Sequence, residues 1–376
     1  MNVHPYSIAI SDEEIADLDE RLGRTRWPDD LATDWSRGVP VPYARSLAER
    51  WRTDYDWREQ EARLNRYPQF VAEVDGQPIH FVHVRSTAPA AIPLLLCHGY
   101  PTSFVEYLAL IDDLVDPPDG APAFDVVVPS IPGFGFSTPL TSRGWDIART
   151  ARAFDDIMQA VGYDRYGVFG GDVGAGIVEE LCIEAGERVI AALILTDAGA
   201  IATEYTPPTD HLTVEEKAHH ADLKAARSED FGYIQVQATR PLSIAYGLTD
   251  SPVAQLTWIV EKFDAWTDPT AELPEDAVDI DQLLTLVSVY WFGRGGGGAA
   301  NLLYEAAHAA AAWGRTHDRP QGFSAFGDEP LMRRILDPGE NLSFWSSHLR
   351  GGHFAAMEVP DFVTADIRAY FRQVQR

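Results

Sequence analysis

The sequence predicts an α/β fold: a mostly parallel central sheet flanked by helices, interrupted by a helical insertion and preceded by a helical extension. Three observations predict it. Short apolar runs at 79–84, 92–97, 124–128, 166–170 and 189–195 are rich in Leu and β-branched residues, as strands buried on both faces are. Between them, 104–114, 147–161 and 175–185 carry apolar residues at helical spacing, and strand alternating with helix makes a parallel sheet. From 199 to 320 the strand pattern stops and helices are expected near 214–226, 251–266, 280–291 and 299–313. It resumes at 322–326 and 342–349, and a helix closes the chain over 361–374.

Taken in order, the first helix is announced by Ser11 and Glu14, a capping box, with Ile15, Leu18 and Leu22 spaced behind it. Residues 1–70, rich in Trp, Arg and Pro, read as a helical lead-in that wraps a larger body. The core follows in two parts, 71–198 and 321–376, separated by the helical lid 199–320. The run Gly295-Gly296-Gly297-Gly298 is the one low-complexity piece and reads as a hinge or irregular lid element.

Composition narrows the function. With 376 residues, 45% of them hydrophobic, the chain can bury a sizeable core. Its 30 basic and 57 acidic residues give a net charge of −27, which argues against nucleic acid and anionic membrane surfaces. Two cysteines, Cys97 and Cys182, exclude a disulfide scaffold and a thiolate zinc cluster and fit a reducing compartment. The start lacks the basic and apolar regions of a signal peptide, and no apolar run approaches the ~18 residues of a membrane span. The expectation is a cytoplasmic protein with a small-molecule substrate; a homodimer is compatible with it.

The chemistry is carried by three loops. Gly170-Gly171-Asp172-Val173-Gly174 lies between a strand and a helix, where small residues permit a strained turn that lifts residue 172 clear of the sheet. This is the nucleophile elbow of the α/β-hydrolases, with Asp in place of Ser; the plainer alternative is a glycine turn with a helix-capping Asp. His98-Gly99-Tyr100-Pro101 follows a strand where such enzymes supply one oxyanion N–H, so Tyr100 and Val173 are the expected donors and His98 holds the loop. Gly351-Gly352-His353-Phe354 lies before the last helix, where the base belongs, and Asp328 or Glu329 follows the preceding strand as its acid. The order nucleophile, acid, His is that of the α/β-hydrolase fold.

Over almost its full length the chain resembles the microsomal-type epoxide hydrolases. The resemblance rests on the lead-in 6–28, His98 to Pro101, Gly133-Phe134-Gly135-Phe136-Ser137, Gly170 to Asp172 and Asp250-Ser251-Pro252-Val253. It continues through Glu261-Lys262-Phe263, Trp266-Thr267, Phe323 to Phe326 and Gly351 to Glu358. It implies Asp172 as nucleophile, His353 as base, Glu329 rather than Asp328 as acid, and Tyr233 and Tyr304 as lid proton donors. His98, Pro101 and Trp291 are expected around the substrate pocket. Departures are Val173 and Tyr100 where the family commonly has Trp, and Gly327 for a usual Pro.

These residue types suit an epoxide. An Asp is ionised near neutral pH and needs no base to attack carbon, while phenols can protonate the emerging alkoxide. A haloalkane dehalogenase is the nearest rival, but Val173 and Tyr100 do not supply its halide donors; a non-catalytic relative would lack part of the triad, and a serine esterase needs Ser on the elbow. No cofactor or metal is expected: His80 and His83 fall on opposite faces of a strand, and His219 and His220 are adjacent on a helix. The aromatic lid suits a bulky apolar or aromatic epoxide met in detoxification or in secondary metabolism such as enediyne antibiotic pathways.

Overall fold

In the computed structural model the expected apolar runs form strands of one nine-stranded sheet; residues 1–118, 120–203, 207–309, 315–327 and 329–375 are described. The strands are β1 (Val3–Tyr6), β2 (Gln69–Val74), β3 (Gln77–Val84), β4 (Ile92–Cys97), β5 (Phe124–Pro129), β6 (Tyr166–Gly171), β7 (Val189–Asp197), β8 (Gln321–Phe326) and β9 (Phe344–His348). Their order is β1-β2-β3-β5-β4-β6-β7-β8-β9. From β5 to β9 every pairing is parallel, and β4 and β6, at the centre, are buried along almost their whole length. The β1·β2, β2·β3 and β3·β5 pairings are antiparallel.

Two strands depart from the expected pattern. β1 lies in the segment read as helical, and β2 was not expected. β1 is a four-residue edge strand containing Pro5, which carries no apolar signature. β2 is only half buried and exposes Glu73. It turns into β3 through Asp75 and Gly76, both at positive φ (51° and 75°), the backbone a tight hairpin requires.

The helix Asp12–Gly23 starts on Ser11 with the full capping box, and Val41–Thr53 and Trp57–Leu64 complete the lead-in. Helices Val214–Ala226, Gly232–Thr239, Pro241–Asp250, Pro252–Trp266, Ile280–Phe292 and Gly295–His308 form the insertion between β7 and β8. The glycine run is therefore the first turn of a helix and not an irregular linker. Among the described residues, no helix is long and apolar enough to cross a membrane.

Candidate active site

β6 ends at Gly171 and the helix Val173–Glu184 begins two residues later, leaving Asp172 alone at the turn with φ 54° and ψ −129°. For a residue other than glycine this is a strained backbone, tolerable because its surroundings are fixed. The turn is tight because strand and helix nearly touch. A Cβ on Gly174 would lie 2.0 Å from the Cys97 carbonyl oxygen, and one on Gly170 would lie 2.7 Å from the same atom. Side chains at these positions would push the helix off β4.

The carboxylate so presented is held on one side. The Tyr100 backbone N–H, on the loop after β4, donates to Asp172 Oδ1 at 2.8 Å. That loop is anchored from behind: His98 Nε2 accepts from the Ile131 N–H at 3.2 Å, and its Nδ1 lies 3.0 Å from the Gly99 carbonyl. Val173 lines the same cavity at the helix N-terminus.

His353 arrives from the loop after β9, its backbone N–H donating to the Trp266 carbonyl at 2.8 Å. Its Nε2 lies 3.7 Å from Asp172 Oδ2, and its Nδ1 lies 3.4 Å from Asp197 Oδ1. The acid facing His353 is thus Asp197, the last residue of β7, and not Glu329. The Glu329 carboxylate is committed elsewhere: Oε1 accepts from the Leu331 N–H at 2.8 Å and Oε2 lies 3.1 Å from His219 Nε2. Asp328 lies outside the described residues.

Charge and burial set the titration of this group. Burial alone pulls the His353 imidazole down, but Asp197, then Asp172 and Glu106, outweigh it and raise its pKa to about 9. Asp197 is pushed up by burial and pulled down by His353 and Arg227, and ends below its ordinary value. Glu106, buried behind the loop, is raised to about 7 chiefly by burial, although Thr102 Oγ1 donates to it at 2.5 Å.

A cavity of about 540 Å³ opens over Asp172, Val173, Asp197 and His353, roofed by Tyr233 and walled by Phe231, Ile234, Trp266, Leu303, Phe323 and Leu336. Tyr233 is buried, and its ring stacks on that of Tyr100 at 5.5 Å and 15°. Tyr304 is not brought to this wall. On its helix Leu303, Ala306 and Ala307 face the cavity, so residue 304 turns off that face and stacks on His308 at 4.1 Å. His98, Pro101 and Trp291, expected around the pocket, are not among the described residues lining this cavity. His98 is spent on its loop, Pro101 is buried, and Trp291 lies under the Arg21 guanidinium at 5.7 Å.

Asp197 is the site residue that sequence reading passed over. Its signal was a polar Thr196-Asp197 pair ending an apolar run, at the carboxyl edge of the strand beside the elbow strand. Of the histidines weighed in the sequence, His80 bonds Ser130 Oγ at 2.9 Å and Gln69 Oε1 at 2.8 Å, and His83 bonds the Tyr163 hydroxyl at 2.9 Å.

A mostly parallel sheet with an acid-bearing elbow, a histidine loop after the last strand and a helical roof defines an α/β-hydrolase. A family model of the alpha/beta hydrolase fold matches residues 92–295, and a model of the epoxide hydrolase N terminus matches residues 3–107. A Stigmatella aurantiaca protein named "Putative epoxide hydrolase" is 39% identical over 99% of this chain and 86% of that protein. Epoxide hydrolase 1 of Sus scrofa is 30% identical over 98% of this chain and 88% of that protein. The structure of the Aspergillus niger epoxide hydrolase superposes with a TM-score of 0.84 at 29% identity, over 100% of this chain and 97% of that one. The chain belongs to the epoxide hydrolase family.

Proposed function

We propose that the chain hydrates a bulky apolar or aromatic epoxide to a vicinal diol through a covalent ester on Asp172. The observation that carries this reading is the carboxylate itself, gripped through Oδ1 by the Tyr100 N–H and facing His353 through Oδ2 under the Tyr233 roof. Oδ2, free of backbone donors, attacks a ring carbon; the C–O bond of the epoxide breaks, and its oxygen takes the Tyr233 proton. The product is a hydroxyalkyl ester of Asp172 and a tyrosinate at 233.

In the second step His353 Nε2 takes a proton from water, and the hydroxide adds to the ester carbonyl carbon. The negative charge forms on Oδ1, already beside the Tyr100 N–H, with Val173 as second donor, an effect worth about 3–4 kcal/mol per donor. Collapse expels the diol oxygen, which takes the proton from His353. The proton left on the Asp172 carboxyl returns through solvent to the tyrosinate. Asp197 orients the imidazole in this scheme, the role first given to Glu329.

The apolar wall and the 540 Å³ volume favour a large substrate over a small polar one. Tyr304, expected beside Tyr233, has no contact with the cavity to support that role. Asp172→Ala is expected to abolish diol formation, and His353→Gln to accumulate an ester visible as the mass of enzyme plus substrate. In a single turnover in heavy-oxygen water the label should enter Asp172. A normal diol yield from Asp172→Ala, or label passing straight into the diol, overturns the proposal.

A further inference from the structure

Lys262 lies on the lid helix Pro252–Trp266 and is only 2% exposed. A lysine near a surface ordinarily extends its ammonium to water. Here Nζ sits instead within an aromatic cage, 5.0 Å from the Tyr233 ring centre, 5.1 Å from that of Trp258 and 6.0 Å from that of Trp266. Its counter-ion is Glu261, 2.9 Å away on the outer side and 41% exposed. Burial pulls the lysine pKa down, while Glu261 and Asp230 oppose it. Holding a cation in such a place is costly, so its effect on the ring it faces is the point of interest.

That ring is the roof of the active-site cavity, and it is held firmly. Tyr233 stacks on Tyr100, whose hydroxyl accepts from Gln237 Nε2 at 2.8 Å and from Trp258 Nε1. Trp258 thus touches both the lysine cage and the tyrosine beneath Tyr233. On the cavity side the charged groups are Asp172, Glu179, Asp197, Arg227 and His353; on the lysine side they are Glu261 and Asp230.

We propose that Lys262 is a positioning residue that makes Tyr233 a stronger proton donor by stabilising its phenolate as the epoxide ring opens. The inference rests on the proposed role of Tyr233 as acid. A neutral phenol offers the ammonium only its ring face. As the proton leaves for the epoxide oxygen, negative charge spreads into that same ring, and the attraction grows. The contact is therefore stronger in the transition state than in the resting site, which is the condition for accelerating the step. Lys262 touches no substrate and neither gains nor loses a proton.

The test separates the two chemical steps by rapid-quench single turnover of a bulky aryl epoxide with the full-length enzyme. Lys262→Met keeps the length and apolar stem within an aromatic cage that accepts a thioether, and Lys262→Gln serves as a second uncharged variant. Ester formation should slow about tenfold, and its alkaline limit should move up by about one pH unit, while ester hydrolysis is unchanged. On a Tyr233→Phe background, Lys262→Met should add nothing. If both steps slow alike in both variants, or the alkaline limit stays where it was, Lys262 is structural and the proposal fails. If Tyr233→Phe slows ester formation but the lysine variants do not, only this inference falls. If Tyr233→Phe leaves ester formation intact, the acid assignment falls and this inference with it.

Discussion

His353 faces two carboxylates, and in the proposed mechanism its charge state sets which half of the reaction the site is ready for. Asp197, then Asp172 and Glu106, raise the imidazole to about 9, so near neutral pH it is a cation. Esterification, as proposed, removes the charge on Asp172. One of the groups raising the imidazole is then gone, its pKa falls, its proton leaves to solvent, and the neutral ring is available as the proposed base when water must be activated. Asp197 is the largest influence raising it, so Asp197→Asn should lower the resting imidazole pKa, read from the NMR of the ring protons. The variant should also hydrolyse the ester roughly 10²–10⁴-fold more slowly, the scale seen when a histidine loses its orienting carboxylate. Stability follows the same linkage. A folded pKa of about 9 against an ordinary 6.5 contributes stability fully present below pH 6.5 and lost as pH rises through 9. That slope should shrink in Asp197→Asn. Glu329→Gln, whose carboxylate meets His219 and the Leu331 N–H, should leave hydrolysis much less affected. The reverse ranking would return the acid role to Glu329.

At the scale of the element, the helix Gly295–His308 begins against helix propensity, with four glycines behind Arg294 in a left-handed conformation. Packing accounts for part of the run. A Cβ on Gly298 would sit 2.4 Å from the Gly133 carbonyl oxygen, so this turn rests directly on the backbone of the loop after β5. At Gly295 the nearest atom to such a Cβ is 3.5 Å away. Gly298→Ala should therefore lower the melting temperature and loosen the lid, whereas Gly295→Ala should stabilise by about 0.4–1 kcal/mol. Equal effects in a thermal melt would mean that the seam has no packing role. The same contact explains why sequence periodicity placed the start of this helix at 299: tertiary packing overrides local propensity there. Strands with apolar runs, such as β4 and β7, were legible because their pattern is local. β1 and β2 were not, being short, polar or half exposed. Asp172, Tyr100 and His353 were legible because each sits on a loop whose position in the chain fixes its position in the site. Asp197 and Tyr304 depend on relations between elements: which carboxylate the histidine loop meets, and how far the lid helix is turned.

At the scale of the molecule, the lead-in straps the lid to the sheet. β1 adds to the sheet edge, while the Val41–Thr53 and Trp57–Leu64 helices meet the lid helix Ile280–Phe292. Trp51 Nε1 donates to Ser288 Oγ at 2.9 Å, the Tyr55 hydroxyl lies 3.0 Å from Thr285 Oγ1, and Trp57 packs on Phe292 at 4.7 Å. The same lid helix carries Tyr290, whose hydroxyl donates to the Thr102 carbonyl at 2.9 Å, beside the loop that grips Asp172. A continuous path of packed groups thus runs from the lead-in helices to the loop whose Tyr100 N–H holds Asp172. Trp51, 3% exposed and part of the same core as β4 and β6, is its best single test. Trp51→Ala should cost about 3–5 kcal/mol, a fall in melting temperature on the order of ten degrees. Arg50→Ala, which removes an exposed pair with Asp281, should cost no more than about 1 kcal/mol. Because strap, lid and sheet share one core, Trp51→Ala should still melt in a single transition, with ester hydrolysis slowed as the Tyr290 contact loosens. An early, separate transition that leaves hydrolysis at its native rate would instead make the lead-in an independent unit, and the path to Tyr100 would carry no coupling.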